Sequence, residues 1–342
     1  MWIKMKTFFL PGQRRAPRSS VATAIELPVV LDEGVALDAD ERIEQVFMDM
    51  LFGISPAQDA PLNGFERKAL KAFAAVLDAN LSDNQLVPRL PTVLPRLMSA
   101  FRDPSTTSKE MADLIGRDIM TLSEVIRLAN SPFYRRAIET RSVEQAVNVI
   151  GRIGLQQMVA NLLVRPIFSE RQGHFSAIAG ALLWEQSEKT AVVAAALAGR
   201  GKADEFSAYL AGISSNLGLV IGCRILDNAY DGTQLPSSLL FRTRWLKIAR
   251  QLTSRVVRVW DFPDAACVML EQLCEPSAPK LAPDTLRLNR AQHLSQFHCL
   301  QTRDRLPVPV PVPDTQSETA AAGDSTFVLA MKVLARLEGR KN

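Results

Sequence analysis

Helix-start signals recur along this chain and constrain its fold more than any other feature. Thr107 is followed three residues later by Glu110, and Ser142 by Gln145. In this spacing, called a capping box, the side chains satisfy backbone N–H groups at the first turn of a helix. Apolar residues recur every three or four positions, as in amphipathic helices, and the alternation typical of strands is nearly absent. The sequence therefore predicts an all-α protein whose main body is a compact multi-helix bundle.

Composition limits the classes of protein that this chain can represent. Hydrophobic residues make up 47% of the 342 positions, which is enough for a substantial core. The net charge of +4 does not by itself indicate a nucleic-acid binder. The four cysteines are scattered without a CxxC pair, which indicates buried free thiols in a reducing compartment. No secretory signal and no membrane span are expected, so the sequence predicts a soluble cytoplasmic protein.

Shifts in charge, proline content and periodicity divide the chain into six segments. Residues 1–36 form a basic and then acidic segment that is partly disordered, residues 37–86 a helical pair, and residues 87–276 the main helical domain. Residues 277–304 form a helical extension, residues 305–325 a proline-rich and disordered linker, and residues 326–342 an amphipathic helix. The linker contains PVPVPVP, which favours an extended polyproline stem and predicts a flexible C-terminal tail.

Two terminal helices each carry an apolar stripe that needs a surface to cover it. The stripe of the N-terminal helix consists of Ile43, Val46, Phe47, Met50 and Leu51. The stripe of the C-terminal helix consists of Phe327, Met331, Leu334 and Leu337. A lone helix of about 12 residues is marginal in water. The N-terminal helix is expected to dock on its own chain, and the C-terminal helix on its own chain, on a second copy or on a partner.

Several motifs follow one another in a familiar order. They are LP at Leu90-Pro91, SKEMADLIGRD, VIRLANSPFY, SVEQAVNVIG and Gly154-Leu155, and then LLWEQSEKTAVVAAALA, AYLAGISSNLGLVIG and RVWDFPDAACVMLEQL. From about Val87 to Glu275 the chain resembles an HDOD domain, the HD-related output domain of bacterial signalling proteins. The resemblance implies an HD-like helical fold and a role in signal transduction.

The resemblance also implies where a metal site would lie. HD phosphohydrolases bind metal through a His, an adjacent His-Asp pair and a further Asp, and a Lys follows the pair. The first three of these positions fall at Gln186, Ser215 and Asn216, and the Lys position falls at Leu219. Asp261 and Asp264 lie near the fourth position, at a helix start, but neither is convincing as a ligand.

Neutral amides and hydroxyls are weak ligands for a divalent metal. The implied site is therefore degenerate, and no metal, no cofactor and no catalysis are expected. Gln186, Ser215 and Asn216 should lie close together on facing helices. They would form either a hydrogen-bonded polar plug or a residual small-molecule pocket.

A basic face on the helix Phe241–Trp260 is the second candidate site. At 100° per residue, Arg244, Lys247, Arg255 and Arg258 fall on one side. The face is either simply solvated or contacts an acidic partner.

Two functions from different classes follow from these patterns. The first is a non-catalytic bacterial signalling adaptor that acts through protein–protein contacts and self-associates, if at all, through the C-terminal helix. The alternative is a metal-dependent HD-type phosphohydrolase that acts on a nucleotide or cyclic dinucleotide. A nucleic-acid binder is a weaker third option, because no aromatic side chains interleave with the basic ones.

Overall fold

Capped amphipathic helices build the protein, as the spacing of Thr107 and Glu110 predicts. The computed structural model describes residues 39–53, 56–81, 86–87, 97, 99–100, 103, 105–117, 119–130, 140–169, 173–275, 281–306 and 326–339. Residues 1–38 and most of the linker 305–325 lie outside the described residues, so the predicted disorder of these segments stays a prediction.

The helices in chain order are α1 (Ala39–Phe52), α2 (Gly64–Asp78), α3 (Ser108–Ile115), α4 (Ile119–Ala129), α5 (Val143–Ser169), α6 (His174–Arg200), α7 (Glu205–Ser214), α8 (Leu217–Ala229), α9 (Leu239–Val259), α10 (Asp264–Gln272), α11 (Pro283–Gln301) and α12 (Thr326–Gly339). Among the described residues, strand-like backbone pairing is limited to one isolated β-bridge between Gln58 and Ser238. The all-α prediction is confirmed.

The capping signals behave as the sequence predicts at one helix and differ at another. Thr107 and Glu110 form the reciprocal capping box of α3. At α5, the Gln145 backbone N–H donates to the Ser142 hydroxyl at 3.2 Å, but the Gln145 side chain accepts from the Arg141 N–H instead. The second predicted box is therefore half formed.

Helix α6 lies at the centre of the bundle and packs against α1, α5, α7, α8, α11 and α12. Its first turn is capped from α8, because the Asp227 carboxylate accepts from the Phe175 and Ser176 N–H groups at 2.6 and 3.1 Å. A carboxylate at this end also complements the partial positive charge of the helix N-terminus. The cap fixes the position of α6 relative to α8, which brings the candidate site together.

The sequence predicts that Ser215 and Asn216 lie within a helix that faces Gln186, but the apolar stretch from Ala208 to Leu226 is interrupted at this pair. Helix α7 ends at Ser214 and α8 begins at Leu217. Thr253 of α9 stabilises the interruption, because its hydroxyl accepts a hydrogen bond from the Gly218 N–H at 2.9 Å. The polar pair thus occupies a turn between two buried helices rather than the middle of one.

Both terminal helices dock on the body of the same chain. Helix α1 packs on α6 and α11 and buries Ile43, Phe47, Met48, Leu51 and Phe52. Helix α2 packs on α8 and α9. Helix α12 packs on α6 and α11 and buries Ala330, Leu334 and Leu337. The sequence allowed the C-terminal helix to dock on its own chain, on a second copy or on a partner, and in the structure it docks on its own chain.

By length and composition alone two helical stretches could cross a membrane, although the sequence predicts no span. Two helical stretches, Val143–Phe168 and Glu205–Ala229, have the length and composition of a span. Glu205–Ala229 is 94% buried inside the protein and contains the turn at Ser215-Asn216. The apolar character of this stretch is that of a core element.

Candidate functional site

Gln186 of α6 and Asn216 of the α7–α8 turn are brought into direct contact. They are 1% and 6% exposed. The Asn216 side-chain amide donates to Gln186 Oε1, to Ser187 Oγ at 2.9 Å and to the Leu183 carbonyl at 3.3 Å. Buried polar groups are stable only when paired in this way. The two residues therefore lie close together on neighbouring elements.

The network continues along α6 rather than through Ser215. Gln186 Nε2 donates to Thr190 Oγ1 at 3.0 Å, and that hydroxyl donates to the Gln186 carbonyl at 2.8 Å. Ser215 lies at the same site, but its hydroxyl donates to the Gly212 carbonyl of the preceding helix α7 at 2.9 Å. Ser187 and Thr190 are partners that the sequence analysis missed. Thr190 follows Gln186 at the i, i+4 spacing that places two side chains on one helix face.

Two glycines allow the helices to close around this turn. A Cβ added to Gly212 would lie 2.6 Å from the Ala191 Cα of α6, and one added to Gly218 would lie 1.9 Å from the Ala249 carbonyl oxygen of α9. Any larger residue would push the turn away from its neighbours. The closeness of Asn216 to Gln186 therefore depends on backbone contact at both sides.

A small polar cavity of about 20 Å³ lies beside the Gln186–Asn216 pair. This volume holds about one water molecule. The cavity is lined by α1, α6, the turn, α8, α9 and α11. The lining residues include Glu44, Phe47, Met48, Gln186, Ser215, Asn216, Leu219, Arg250, Gln292, His293 and Gln296. Leu219, which the resemblance to HD phosphohydrolases predicts to stand at a Lys position, contributes an apolar wall.

Helix α1 closes the cavity through ion pairs with the body. The Glu44 carboxylate lies 2.6 Å from the Arg250 guanidinium, and Asp49 pairs with Arg242. Asp40 lies 3.0 Å from His293 Nδ1. Burial of Asp40 opposes its ionisation, but the adjacent His293 and Arg290 outweigh burial, so the pKa of Asp40 is lowered. The covering helix is held by its acidic residues as well as by its apolar face.

The donor set beside the cavity does not fit a divalent metal ion. The amide nitrogen of Asn216 is directed at three acceptors, and the Gln186 oxygen already accepts from it. Within the described part of the chain, no three His, Cys, Asp or Glu side chains cluster as metal ligands would. Asp261 and Asp264 are exposed, and Asp264 pairs with Arg258 at 2.5 Å. Neither aspartate lines the cavity.

A family model of the HDOD domain matches residues 87–276, more than half of the chain. The chain belongs to the HDOD family. Helices α1, α2, α11 and α12 lie outside the matched range, so the cavity is formed partly by the HDOD domain and partly by flanking helices.

Solved structures share the HDOD fold at low sequence identity. An HDOD domain protein of unknown function from Geobacter sulfurreducens is 19% identical with a TM-score of 0.55, over 79% of this chain and 93% of that one. A candidate metal-dependent phosphohydrolase from Shewanella amazonensis SB2B is 18% identical with a TM-score of 0.51, over 79% and 100%. A candidate signal transduction protein from Marinobacter aquaeolei VT8 is 18% identical with a TM-score of 0.51, over 90% and 65%. These likenesses show the fold.

An uncharacterized protein of Treponema pallidum (strain Nichols) is 25% identical over 142 residues, which is 40% of this chain. The matched region spans about a quarter, 26%, of that relative's length.

The basic face of α9 is divided by the tertiary structure. Arg258 pairs with Asp264 and Glu271, each at 2.5 Å, and Arg255 donates to the Ala79 carbonyl at 3.4 Å. Arg244 and Lys247 instead line an open groove between α2 and α9, together with Lys71 of α2. Of the four cations that the sequence places on one side, the structure brings two into this groove and adds a third.

A separate buried charge cluster joins α6 to α11 and α12. Lys189 is 1% exposed and lies 2.7 Å from Glu185, 2.9 Å from His298 Nδ1 and 3.3 Å from Glu338. Burial of Glu185 opposes its ionisation, but hydrogen bonds from Arg303 and Lys189 outweigh burial and lower the pKa of Glu185 to about 2. Burial and the Lys189 charge lower the pKa of His298. The cluster holds α12 against the HDOD domain.

Proposed function

We propose that this HDOD protein is a non-catalytic signalling adaptor that acts by binding a protein partner in the cytoplasm of a bacterium. The observation that carries the proposal is the Gln186–Asn216 amide pair. Its residues stand at positions that the resemblance to HD phosphohydrolases assigns to metal-binding His and Asp. Its polar atoms are hydrogen-bonded to one another and to Ser187, Thr190 and Leu183.

The chemistry of these residues supports the absence of hydrolysis. Metal-assisted phosphoester hydrolysis needs ligands that hold the ion and lower the pKa of its bound water. Neutral amides offer no charge to offset the desolvation of a divalent ion. The cavity beside them holds about one water, which is far smaller than a nucleotide pocket of about 300 Å³ or more.

The signalling context is supported by the family and by one of its structural neighbours. The Marinobacter aquaeolei protein of the same fold is described as a candidate signal transduction protein. The alternative, a metal-dependent phosphohydrolase, has the Shewanella amazonensis protein in its favour. We prefer the adaptor because identity of 18% carries only the fold to this chain. The residues at the three positions that the HD resemblance assigns to metal ligands are Gln186, Ser215 and Asn216, and all three are neutral.

Metal analysis and turnover assays of the purified full-length protein test the proposal. We expect no stoichiometric Mn, Fe or Zn after mild purification. We also expect no turnover of bis-p-nitrophenyl phosphate, nucleoside phosphates or cyclic dinucleotides with any of these metals added. Turnover that disappears in both Gln186→Ala and Asn216→Ala, while a surface variant such as Lys109→Ala retains it, would make the protein an enzyme. In that case the phosphohydrolase alternative replaces the adaptor.

A further inference from the structure

Helices α2 and α9 run side by side in the same direction. At their N-terminal ends, Glu66 of α2 accepts from the backbone N–H of Ser238, the N-cap residue of α9, at 2.8 Å. Midway, the rings of Phe73 and Trp245 lie 4.3 Å apart, and Arg255 reaches the Ala79 carbonyl at the C-terminal end of α2. The outer surface between two such helices is a groove of the kind that accepts a third helix.

The groove combines cationic walls with an apolar floor. Lys71, Arg244 and Lys247 line it together with Leu70, Ala74, Ile248 and Gln251, and it has a volume of about 350 Å³. Its lining contains no acidic side chain. This combination suits a ligand that presents carboxylates beside apolar side chains.

The cations of this groove are available to a partner. Lys71 and Arg244 are exposed, and neither forms an ion pair with another residue in the described ranges. Lys247 pairs with Glu275 at 3.3 Å, and both side chains are more than half exposed. An exposed pair of this kind is weak, so a competing carboxylate can replace it.

The exposed side of α9 that borders the groove is long enough to contact a short helix. Leu240 is 42% exposed and lies one turn before Arg244, while Arg255 lies fifteen residues after Leu240. Fifteen helical residues span about 22 Å, or about four turns. The exposed surface of α9 therefore offers an apolar contact at one end and cations along the rest.

The opposite side of α9 already binds an acidic helix of this same chain. Helix α1 pairs Glu44 with Arg250 and Asp49 with Arg242 of α9, and the ring of its Phe52 lies 6.0 Å from that of Phe241. The groove at Arg244 and Lys247 repeats this chemistry on the other side of the helix. An acidic amphipathic helix is thus the ligand for which the protein shows a precedent.

We infer that the groove between α2 and α9 docks an acidic amphipathic helix of a partner protein, with carboxylates on Lys71, Arg244 and Lys247 and an apolar stripe on Leu70, Ala74 and Ile248. The inference rests on the proposed adaptor function and names the chemistry of its partner. A nucleic acid fits the groove less well, because the floor is aliphatic and no aromatic side chain lines it for base stacking.

A helical peptide added to the full-length protein tests the inference. The probe is a fluorescein-labelled peptide with the sequence of residues 37–53, followed by fluorescence anisotropy. We expect the peptide to bind the wild type, and the K71E/R244E double variant to weaken binding at least tenfold. Lys109→Glu, an exposed charge reversal on α3, should leave the affinity unchanged. A peptide with its carboxylates replaced by amides should not bind.

Three outcomes overturn the inference. The first is no binding at millimolar concentration, and the second is equal binding to K71E/R244E. The third is loss of binding in Arg250→Gln but not in K71E/R244E, which assigns the peptide to the α1 site. A single-stranded oligonucleotide that binds through Lys71 and Arg244 when the peptide does not would make the groove a nucleic-acid site. Phosphoester turnover would reject the adaptor function separately, whatever the peptide does.

Discussion

Arg250 Nη2 lies 2.6 Å from Glu44 Oε1, and this ion pair joins the HDOD domain to a helix that precedes the domain in sequence. Both side chains are about three-quarters buried or more, and both line the polar cavity beside Gln186. The pair therefore fixes α1 over the cavity beside the Gln186–Asn216 contact.

We expect Glu44 and Arg250 to be energetically coupled. Replacing each by Gln, singly and together, should give a coupling free energy of about 1 kcal/mol in urea unfolding, because partial burial limits screening by water. The matched control is the pair Lys247 and Glu275, which is exposed and should show a coupling near zero. Equal couplings for the two pairs would contradict the role of Glu44 in docking α1.

Asn216→Asp should destabilise the protein in a pH-dependent manner. Asn216 donates to three acceptors, and an ionised carboxylate has no proton to donate. The substitution should lower the free energy of unfolding at pH 7 by about 2–4 kcal/mol. Burial among acceptors raises the carboxyl pKa of the folded variant, so its stability relative to wild type should be highest at low pH and fall as pH rises above about 4.

Chemical unfolding at pH 5 and pH 7 measures this difference. Asn228→Asp, an exposed substitution on α8, is the control and should show little change between the two pH values. A cost for Asn216→Asp that is small at both pH values would mean that the Gln186–Asn216 contact contributes little.

Gly218→Ala should be strongly destabilising, because its Cβ would overlap the Ala249 carbonyl of α9. Forcing the two helices apart should cost about 1–3 kcal/mol or more. Gly339→Ala is the matched control, since its Cβ would meet no atom within 4 Å and alanine favours a helix. Thermal unfolding of both variants gives the comparison, and similar melting temperatures would refute the close approach of α8 and α9.

Glu185 should contribute to stability above about pH 4.5, and the contribution should be lost as pH falls towards 2. Its folded pKa of about 2 lies below the ordinary value of 4.5 because Arg303 and Lys189 outweigh burial. The folded state therefore binds fewer protons than the unfolded state in this window, and acid favours unfolding. Glu185→Gln should flatten the loss of stability between pH 4.5 and pH 2, as measured by unfolding curves at each pH. A variant that loses stability as steeply as wild type in this range would refute the assignment.

Leu334→Asp should release α12 from the bundle. Leu334 is fully buried against the body, and removing it from its site should cost about 1.5–3 kcal/mol. Faster amide exchange in residues 326–339, with the HDOD domain still folded, is the expected signature. Val328→Asp is the control on the same helix, because Val328 is 39% exposed. Equal exchange in the two variants would mean that α12 is held by something other than this contact.

Local patterns determined the helical class and much of the outline. The capping box at Thr107 and Glu110 and the apolar spacing of α1, α2 and α12 act within one or two turns, so they can be identified without knowing the fold. The HDOD resemblance predicted the range that the family model matches, and it singled out Gln186 and Asn216, which the structure brings into contact.

Only the tertiary structure decided which groups meet across helices. No local pattern indicated that α1 would cover the cavity, that Ser187 and Thr190 would complete the amide network, or that Lys71 would join Arg244. The sequence also placed Ser215-Asn216 within a helix, whereas Thr253 of α9 accepts the Gly218 N–H and stabilises a turn there. Such contacts join residues far apart in sequence, and they depend on how helix faces pack rather than on local propensity.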